Sequence, residues 1–159
     1  MANESPEPPS LDESLVQRLV ELAIKIDGCH ESVADKMVRE FNELAGTEIP
    51  YAEFQGIYGG EEHENYVRRV LTAKLTAPDS TIGREQLVEM FKRVSDNPSD
   101  DSYLEFAFSK IKKTFGDAQV SDLVFWPGHY FGDGDDSREL TPEQMADAVL
   151  ERYNQRNAQ

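Results

Sequence analysis

The sequence is poor in cysteine, in basic residues and in long apolar stretches. Cys29 is the only cysteine among 159 residues, so no disulfide can form within the chain. No apolar run approaches the roughly 18 residues that a membrane-spanning helix needs. The N-terminus also lacks the basic start and apolar stretch of a secretory signal. These features predict a cytoplasmic protein that does not enter a membrane.

Basic residues are strongly outnumbered by acidic ones. The chain has 16 Lys and Arg against 31 Asp and Glu, which gives a formal net charge of −15. Proteins that hold nucleic acid phosphates cluster Lys and Arg, so we expect no nucleic acid partner. An acidic surface favours solubility, and it also attracts basic partners. Both interpretations of the charge remain open at this stage.

Residue groups typical of catalysis or metal binding are scarce. The three histidines are isolated, with no second His or Cys at ligand spacing. The acidic run that starts at Asp133 resembles a calcium loop, but Arg138 and Gln144 stand where that loop requires Gly and Glu. We therefore predict a protein that is not an enzyme and has no metal or cofactor. A metal-dependent enzyme that uses the 129–136 loop is the competing hypothesis.

Apolar residues recur at helical spacing along most of the chain. The order helix, helix, short aromatic segment, helix occurs twice, with PYAEFQGIYGG and SDLVFWP as the two aromatic segments. We therefore predict an all-α fold of two tandem four-helix bundles. The expected ranges are a disordered acidic tail at 1–11 and bundles at 12–78 and 79–159. The alternative is a single helical domain whose two halves are similar by coincidence.

Capping-box patterns begin at Ser10 and at Thr141, and each predicts the start of a helix. The stretch SDLVFWPGHYFGDGDD, residues 121–136, holds the only Trp of the chain among Gly, Pro and Asp. Large rings in such a context predict a short structured segment with exposed aromatic side chains. The alternative is that Phe125 or Trp126 fills the core, and we expect at least one of the two to be exposed.

The C-terminal half resembles the colicin and pyocin immunity proteins, which are small four-helix inhibitors of nuclease bacteriocins. The resemblance covers Thr81 to Asn154 and follows the order of the family's helices: REQLVEMFKRV, DDSYLEFAFSKIKKTFG, SDLVFWP and ELTPEQMADAVLERY. The third of these is similar to the family's short helix, in which Ser-Asp-Leu precedes two aromatics and Pro. The N-terminal half is a weaker match, based on its architecture and on FQGIYGG.

The resemblance implies stoichiometric binding to a nuclease-type toxin. The short helix would contribute Asp122, Phe125 and Trp126 to the docking surface, with Ser121 beside the acid. The second helix would set the choice of toxin. Its solvent face would present Tyr103, Phe106, Ser109, Lys110 and Lys113.

The chain departs from the family in several ways. Phe and Trp replace the usual two tyrosines, and the GHYFGDGDDSREL loop is longer. The second helix carries Lys110, Lys112 and Lys113, whereas its counterpart in the first half is acidic. The sequence thus leaves open which half docks, which toxin is bound and what the oligomeric state is. A protein-binding adaptor or scaffold unrelated to toxins is the alternative function.

Overall fold

The computed structural model describes residues 5–57 and 62–158. Within these ranges all regular secondary structure is helical, which confirms the predicted all-α class. The chain divides into two compact units. The N-terminal unit is Pro9–Leu75, and the C-terminal unit runs from Thr76 onward and also includes residues 5–8.

The described part of the N-terminal unit contains two long helices, a short one and a third long one. These are α1 (Glu13–Ile26), α2 (Glu31–Ala45), α3 (Tyr51–Phe54) and α4 (His63–Leu75). Helix α1 packs against both α2 and α4, because its apolar residues fall on one face. That face buries Val16, Leu19, Leu22, Ala23 and Ile26.

The C-terminal unit has two long helices, two short ones and a final long one. These are α5 (Arg84–Asp96), α6 (Asp101–Phe115), α7 (Val120–Phe125), α8 (Pro127–Phe131) and α9 (Pro142–Asn157). The most extensive packing is between α5 and α9, and α6 and α7 complete the core. The largest fully buried side chains here are Phe91, Phe106, Leu87, Met90, Ile111 and Leu123.

Helices α2 and α6 end in the same way. Each has 15 residues and is followed by a glycine with positive φ, Gly46 at 71° and Gly116 at 72°. The amide of each glycine donates to the carbonyl four residues earlier. Because a left-handed residue reverses the chain at little cost only when it is Gly, both glycines stop their helices before the short aromatic segments.

Of the two helix starts predicted from capping-box patterns, the structure confirms one and places the other start two residues later. Thr141 caps α9 in a capping box with Gln144, as predicted. Helix α1 is capped by Asp12, whose side chain accepts from the amides of Ser14 and Leu15, and the predicted cap at Ser10 is wrong. An Asp carboxylate is as good a cap as a Ser hydroxyl, so the chain takes the acid that lies closer to the apolar face.

Of the segment 1–11, for which the sequence predicts a disordered tail, residues 5–8 belong to the C-terminal unit and residues 9–11 to the N-terminal unit. The carboxylate of Glu7 lies 3.0 Å from the guanidinium of Arg93 on α5. That guanidinium also stacks on the Tyr103 ring, 4.0 Å from its centroid. Glu7 therefore contacts α5 through this ion pair. Residues 1–4 lie outside the described residues.

Candidate partner-binding surface

Phe125 and Trp126 lie at the corner between two short helices. Val120 and Leu123 hold α7 in the core, and Trp126 then leaves helical geometry with φ −142° and ψ 63°. Pro127 starts α8 at once, because a proline fits the first position of a helix. The corner turns both rings outward, and Phe125 is 43% and Trp126 58% exposed. The expectation that at least one ring is exposed is confirmed.

A neighbouring ring holds Phe125, and a backbone hydrogen bond holds the chain at Trp126. The Phe125 ring meets Phe108 of α6 edge-to-face, with 6.2 Å between the centroids. The backbone amide of Trp126 donates to the carbonyl of Asp122 at 2.7 Å. Ser121 and Asp122 are partly exposed on the same short helix. Three of the four residues that the sequence proposed here, Ser121, Asp122 and Phe125, thus lie on α7, and the fourth, Trp126, directly follows its last residue.

A third exposed ring, Phe131, ends α8 with 43% of its surface exposed. We name Phe125, Trp126 and Phe131 the aromatic surface. Phe131 packs edge-to-face on buried Tyr130, with centroids 5.1 Å apart. Sequence reasoning missed Phe131, although it lies five residues after Trp126 in the same unusual stretch. Its neighbours Gly132 and Gly134 were a signal that this ring too stands at a chain reversal.

Beneath the aromatic surface lies a buried polar anchor. The Tyr130 hydroxyl donates to Asp117 Oδ2 at 2.6 Å, and Asp117 is only 2% exposed. The Arg152 guanidinium of α9 lies 3.5 Å from the other Asp117 oxygen and stacks 3.5 Å above the Tyr130 ring. Burial, together with the hydrogen bond to Asp117, raises the pKa of Tyr130 well above its usual value. This anchor fixes α8 to α9 and so fixes the orientation of the corner.

The solvent face predicted for α6 is wrong at its two aromatic positions. Tyr103 is 2% exposed and Phe106 is 1% exposed, so both belong to the core. Burial raises the pKa of Tyr103, an effect that the nearby Arg93 partly offsets. Apolar residues occupy most of the circumference of α6, and their spacing alone does not decide which side faces solvent.

The polar residues predicted on that α6 face are engaged within the unit. The Lys110 ammonium donates to the Ala77 carbonyl at 2.6 Å, and the Lys113 ammonium donates to the Thr76 carbonyl at 2.6 Å. Ser109 is partly exposed and bonds Glu105 at 3.5 Å. Both lysines therefore hold the segment that enters the unit, while Lys113 is exposed and Lys110 is partly exposed.

The described part of the N-terminal aromatic segment has the opposite character. Phe54 is fully buried and meets Phe41 edge-to-face, with centroids 4.9 Å apart. Ile57 is 6% exposed, and the Tyr51 hydroxyl donates to the Cys29 carbonyl. The remainder of FQGIYGG, residues 58–60, lies outside the described residues. In the described part of this segment, Phe54 and Ile57 are therefore core residues of the N-terminal unit.

Among the residues that the structure describes, no group of three or more His, Cys, Asp or Glu side chains is placed to hold a metal ion. In the same ranges, no helix combines the length and the apolar character needed to cross a bilayer. Comparison of the chain with protein-family models, curated proteins and solved structures finds no match. A function must therefore be inferred from the exposed residues of α7 and α8 themselves.

Proposed function

We propose that the chain is a stoichiometric, non-catalytic inhibitor that binds a nuclease-type toxin through its C-terminal unit. The observation that carries the proposal is the exposure of Phe125 and Trp126 at the C-terminal end of α7, the short helix that also carries the partly exposed Asp122. Exposed rings with little rotamer freedom are typical binding hot spots, because burying them gains area at low entropic cost. A carboxylate beside them can accept a charge-assisted bond from a partner's Arg or Lys.

The helix order supports an immunity-type fold for this proposal. In each unit a 15-residue helix ends at a left-handed glycine and is followed by a short helix that carries aromatics. The resemblance noted in the sequence requires this order of two long helices, a short one and a long one. We therefore propose two tandem immunity-like bundles, with α8 and the loop after it as additions to the second bundle.

The negative charge of the chain supports a partner with a basic surface. A nuclease must present basic residues to hold DNA, and the chain carries a net charge of −15. Opposite charges accelerate association and disfavour acidic competitors. The single cysteine, a partly exposed free thiol, agrees with the cytoplasmic location proposed for an inhibitor that protects its own cell.

The test is capture from a lysate of the source cells, followed by a nuclease assay of whatever is captured. Wild type is compared with an Asp122→Ala, Trp126→Ala variant. The matched control is Glu21→Ala, Ile24→Ala, which also removes one acid and one half-exposed apolar side chain, in the N-terminal unit. We expect wild type and control to retain a basic nuclease and to inhibit it at an equimolar ratio. The Asp122, Trp126 variant should bind about 30- to 1,000-fold more weakly, as expected for a hot spot worth about 2–4 kcal/mol.

Two results would contradict the proposal. If all three proteins retain the same set, the α7 rings are not the docking surface. If the Asp122, Trp126 variant alone loses a partner that has no nuclease activity, the surface binds proteins but toxin inhibition is wrong. That second result would favour the adaptor function.

A further inference from the structure

The first described residues of the chain lie against helices that are far from them in sequence. Ser5, Pro6, Glu7 and Pro8 belong to the C-terminal unit, and we name residues 5–8 the strap. We propose that the strap is a displaceable cover over the Tyr103 hydroxyl and the Arg93 guanidinium, so that this part of the unit has a closed and an open state. The inference concerns the chain alone and does not depend on the proposed function.

Two side chains of the strap reach the same place. Arg93 Nη1 donates to both carboxylate oxygens of Glu7, at 3.0 and 3.1 Å, and the Arg93 guanidinium lies 4.0 Å from the centroid of the Tyr103 ring. Burial raises the pKa of Tyr103, and Arg93 and then the Ser5 side chain partly offset that rise, so Ser5 lies beside the Tyr103 hydroxyl. The strap therefore contacts Tyr103 through Ser5 and, by way of Arg93, through Glu7.

Tyr103 lies at the edge of the core. Its ring packs on Phe106, with centroids 5.9 Å apart, and only 2% of the residue is exposed. Yet Arg93, Glu7 and Glu89, three of the residues that act on its hydroxyl, are themselves exposed. The hydroxyl is thus just beneath the surface of the unit, and the strap forms part of what covers it.

The strap follows the direction of α5. Ser5 lines a cavity of about 380 Å³ together with Glu85, Val88 and Glu89 of that helix, and Glu7 pairs with Arg93 one turn further on. Four helical residues advance about 6 Å, which is close to the roughly 7 Å between residues i and i+2 of an extended chain. Residues 5–8 therefore lie along α5 as an extended segment.

The strap is held weakly. The side chains of Glu7 and Arg93 are 70% and 47% exposed, and an ion pair so open to water contributes little to stability. The Tyr103 hydroxyl forms no hydrogen bond of normal geometry with the described residues, and burying it in that state costs free energy that is recovered when water reaches it. Pro6 and Pro8 favour closure, because their fixed φ leaves the strap less conformational entropy to lose. Small opposing contributions leave both states accessible.

Opening changes what the unit presents at its surface. The sequence predicts Tyr103 on the solvent face of α6, and the closed strap is one reason that this residue is buried. In the open state the hydroxyl edge of Tyr103 reaches solvent and the Arg93 guanidinium loses its carboxylate. The strap therefore controls whether these two side chains are available at the surface.

The test is fluorine NMR of the full chain labelled with 3-fluorotyrosine, in which the Tyr103 signal is identified by its absence from a Tyr103→Phe variant. A soluble, uncharged gadolinium chelate relaxes this signal in proportion to the fraction of molecules in the open state. Glu7→Gln removes the ion pair, and we expect it to raise the relaxation about two- to fivefold, the range for an exposed pair. The matched control is Glu151→Gln, which removes the same charge from an exposed position of α9 and should leave the relaxation unchanged.

Salt distinguishes a displaceable strap from a fixed cover. Raising the ionic strength from about 0.01 M to about 1 M screens the Glu7–Arg93 pair, so the relaxation should rise in wild type and stay constant in Glu7→Gln. A Pro6→Gly, Pro8→Gly variant keeps the ion pair and should also raise the relaxation, because a more flexible strap loses more entropy on closing.

Equal relaxation of the Tyr103 signal in wild type, Glu7→Gln and the glycine variant would overturn the inference, and so would an equal rise in Glu151→Gln. No partner is present in these measurements. Their failure therefore leaves the toxin proposal standing, and failure of the nuclease capture leaves the strap standing.

Discussion

The two short aromatic segments follow the same kind of 15-residue helix, yet they use their rings in opposite ways. In the N-terminal unit Phe54 is fully buried against Phe41. In the C-terminal unit Phe125 and Trp126 are 43% and 58% exposed. A buried ring stabilises its own fold, whereas an exposed ring gains nothing until another surface covers it. Only the second segment, as far as the chain is described, is available to a partner.

The local chain path explains the difference. After α3 the side chain of Gln55 accepts from the Gly28 amide and donates to the Ile26 carbonyl, which draws the segment onto the end of α1. After α7 no such return occurs, because Trp126 and Pro127 start a new short helix at once. The turn between α7 and α8 leaves two consecutive side chains outside the core. The same order of helices thus gives a core segment in one unit and a surface in the other.

The largest expected effect is on stability, and it should separate the two phenylalanines. Phe54→Ala removes a fully buried ring and should lower the free energy of unfolding of the N-terminal unit by about 3–5 kcal/mol. Phe125→Ala removes a half-exposed ring and should cost the C-terminal unit less than about 1.5 kcal/mol. Urea titration followed by hydrogen exchange of peptides from each unit measures both values separately. Equal losses of unfolding free energy in the two variants would mean that Phe125 is a core residue like Phe54. The two aromatic segments would then not differ in the use of their rings.

The second effect is a pH dependence specific to the C-terminal unit. Burial raises the pKa of Tyr130, so above a pH of about 10 this tyrosine ionises only in the unfolded chain. The unfolded state then binds fewer protons, and the free energy of unfolding falls by up to about 1.4 kcal/mol per pH unit. Tyr130→Phe should make this decline shallower, as measured by urea titrations of the C-terminal unit between neutral and alkaline pH.

The control for this prediction lies in the same variant at neutral pH. There Tyr130→Phe should cost about 1–3 kcal/mol, because buried Asp117 loses its hydroxyl donor. An identical alkaline decline in wild type and variant would show that the Tyr130–Asp117 contact does not anchor α8 as described.

The smallest effect is expected on α6. Lys110→Gln should change affinity for the captured nuclease by less than about twofold, because this ammonium already bonds the Ala77 carbonyl of its own unit. Lys112→Gln is the matched control, since it removes the same charge from an exposed position of the same helix. A change of more than about tenfold at Lys110 alone would restore α6 as the selecting element.

The sequence predicted the helical class, the Thr141 cap and the exposure of at least one of Phe125 and Trp126, because each follows from a local pattern. It did not predict which side of α6 faces inward, since Leu104 and Phe108 are as apolar as Tyr103 and Phe106. Tyr103, Phe106 and Ile111 face the core of the unit, and that orientation depends on the helices packed against α6, which the local sequence does not contain. The closure of the acidic loop on Gly128 was missed for the same reason.

The central claim is that the α7–α8 region of the C-terminal unit docks on a basic nuclease. Hydrogen exchange of the full chain, alone and with a nuclease captured in the lysate experiment, tests this claim most directly. The account predicts slower exchange across 121–138 on binding and unchanged exchange across 31–57. Protection of 31–57 with no change at 121–138 would contradict it and would place the docking surface in the N-terminal unit.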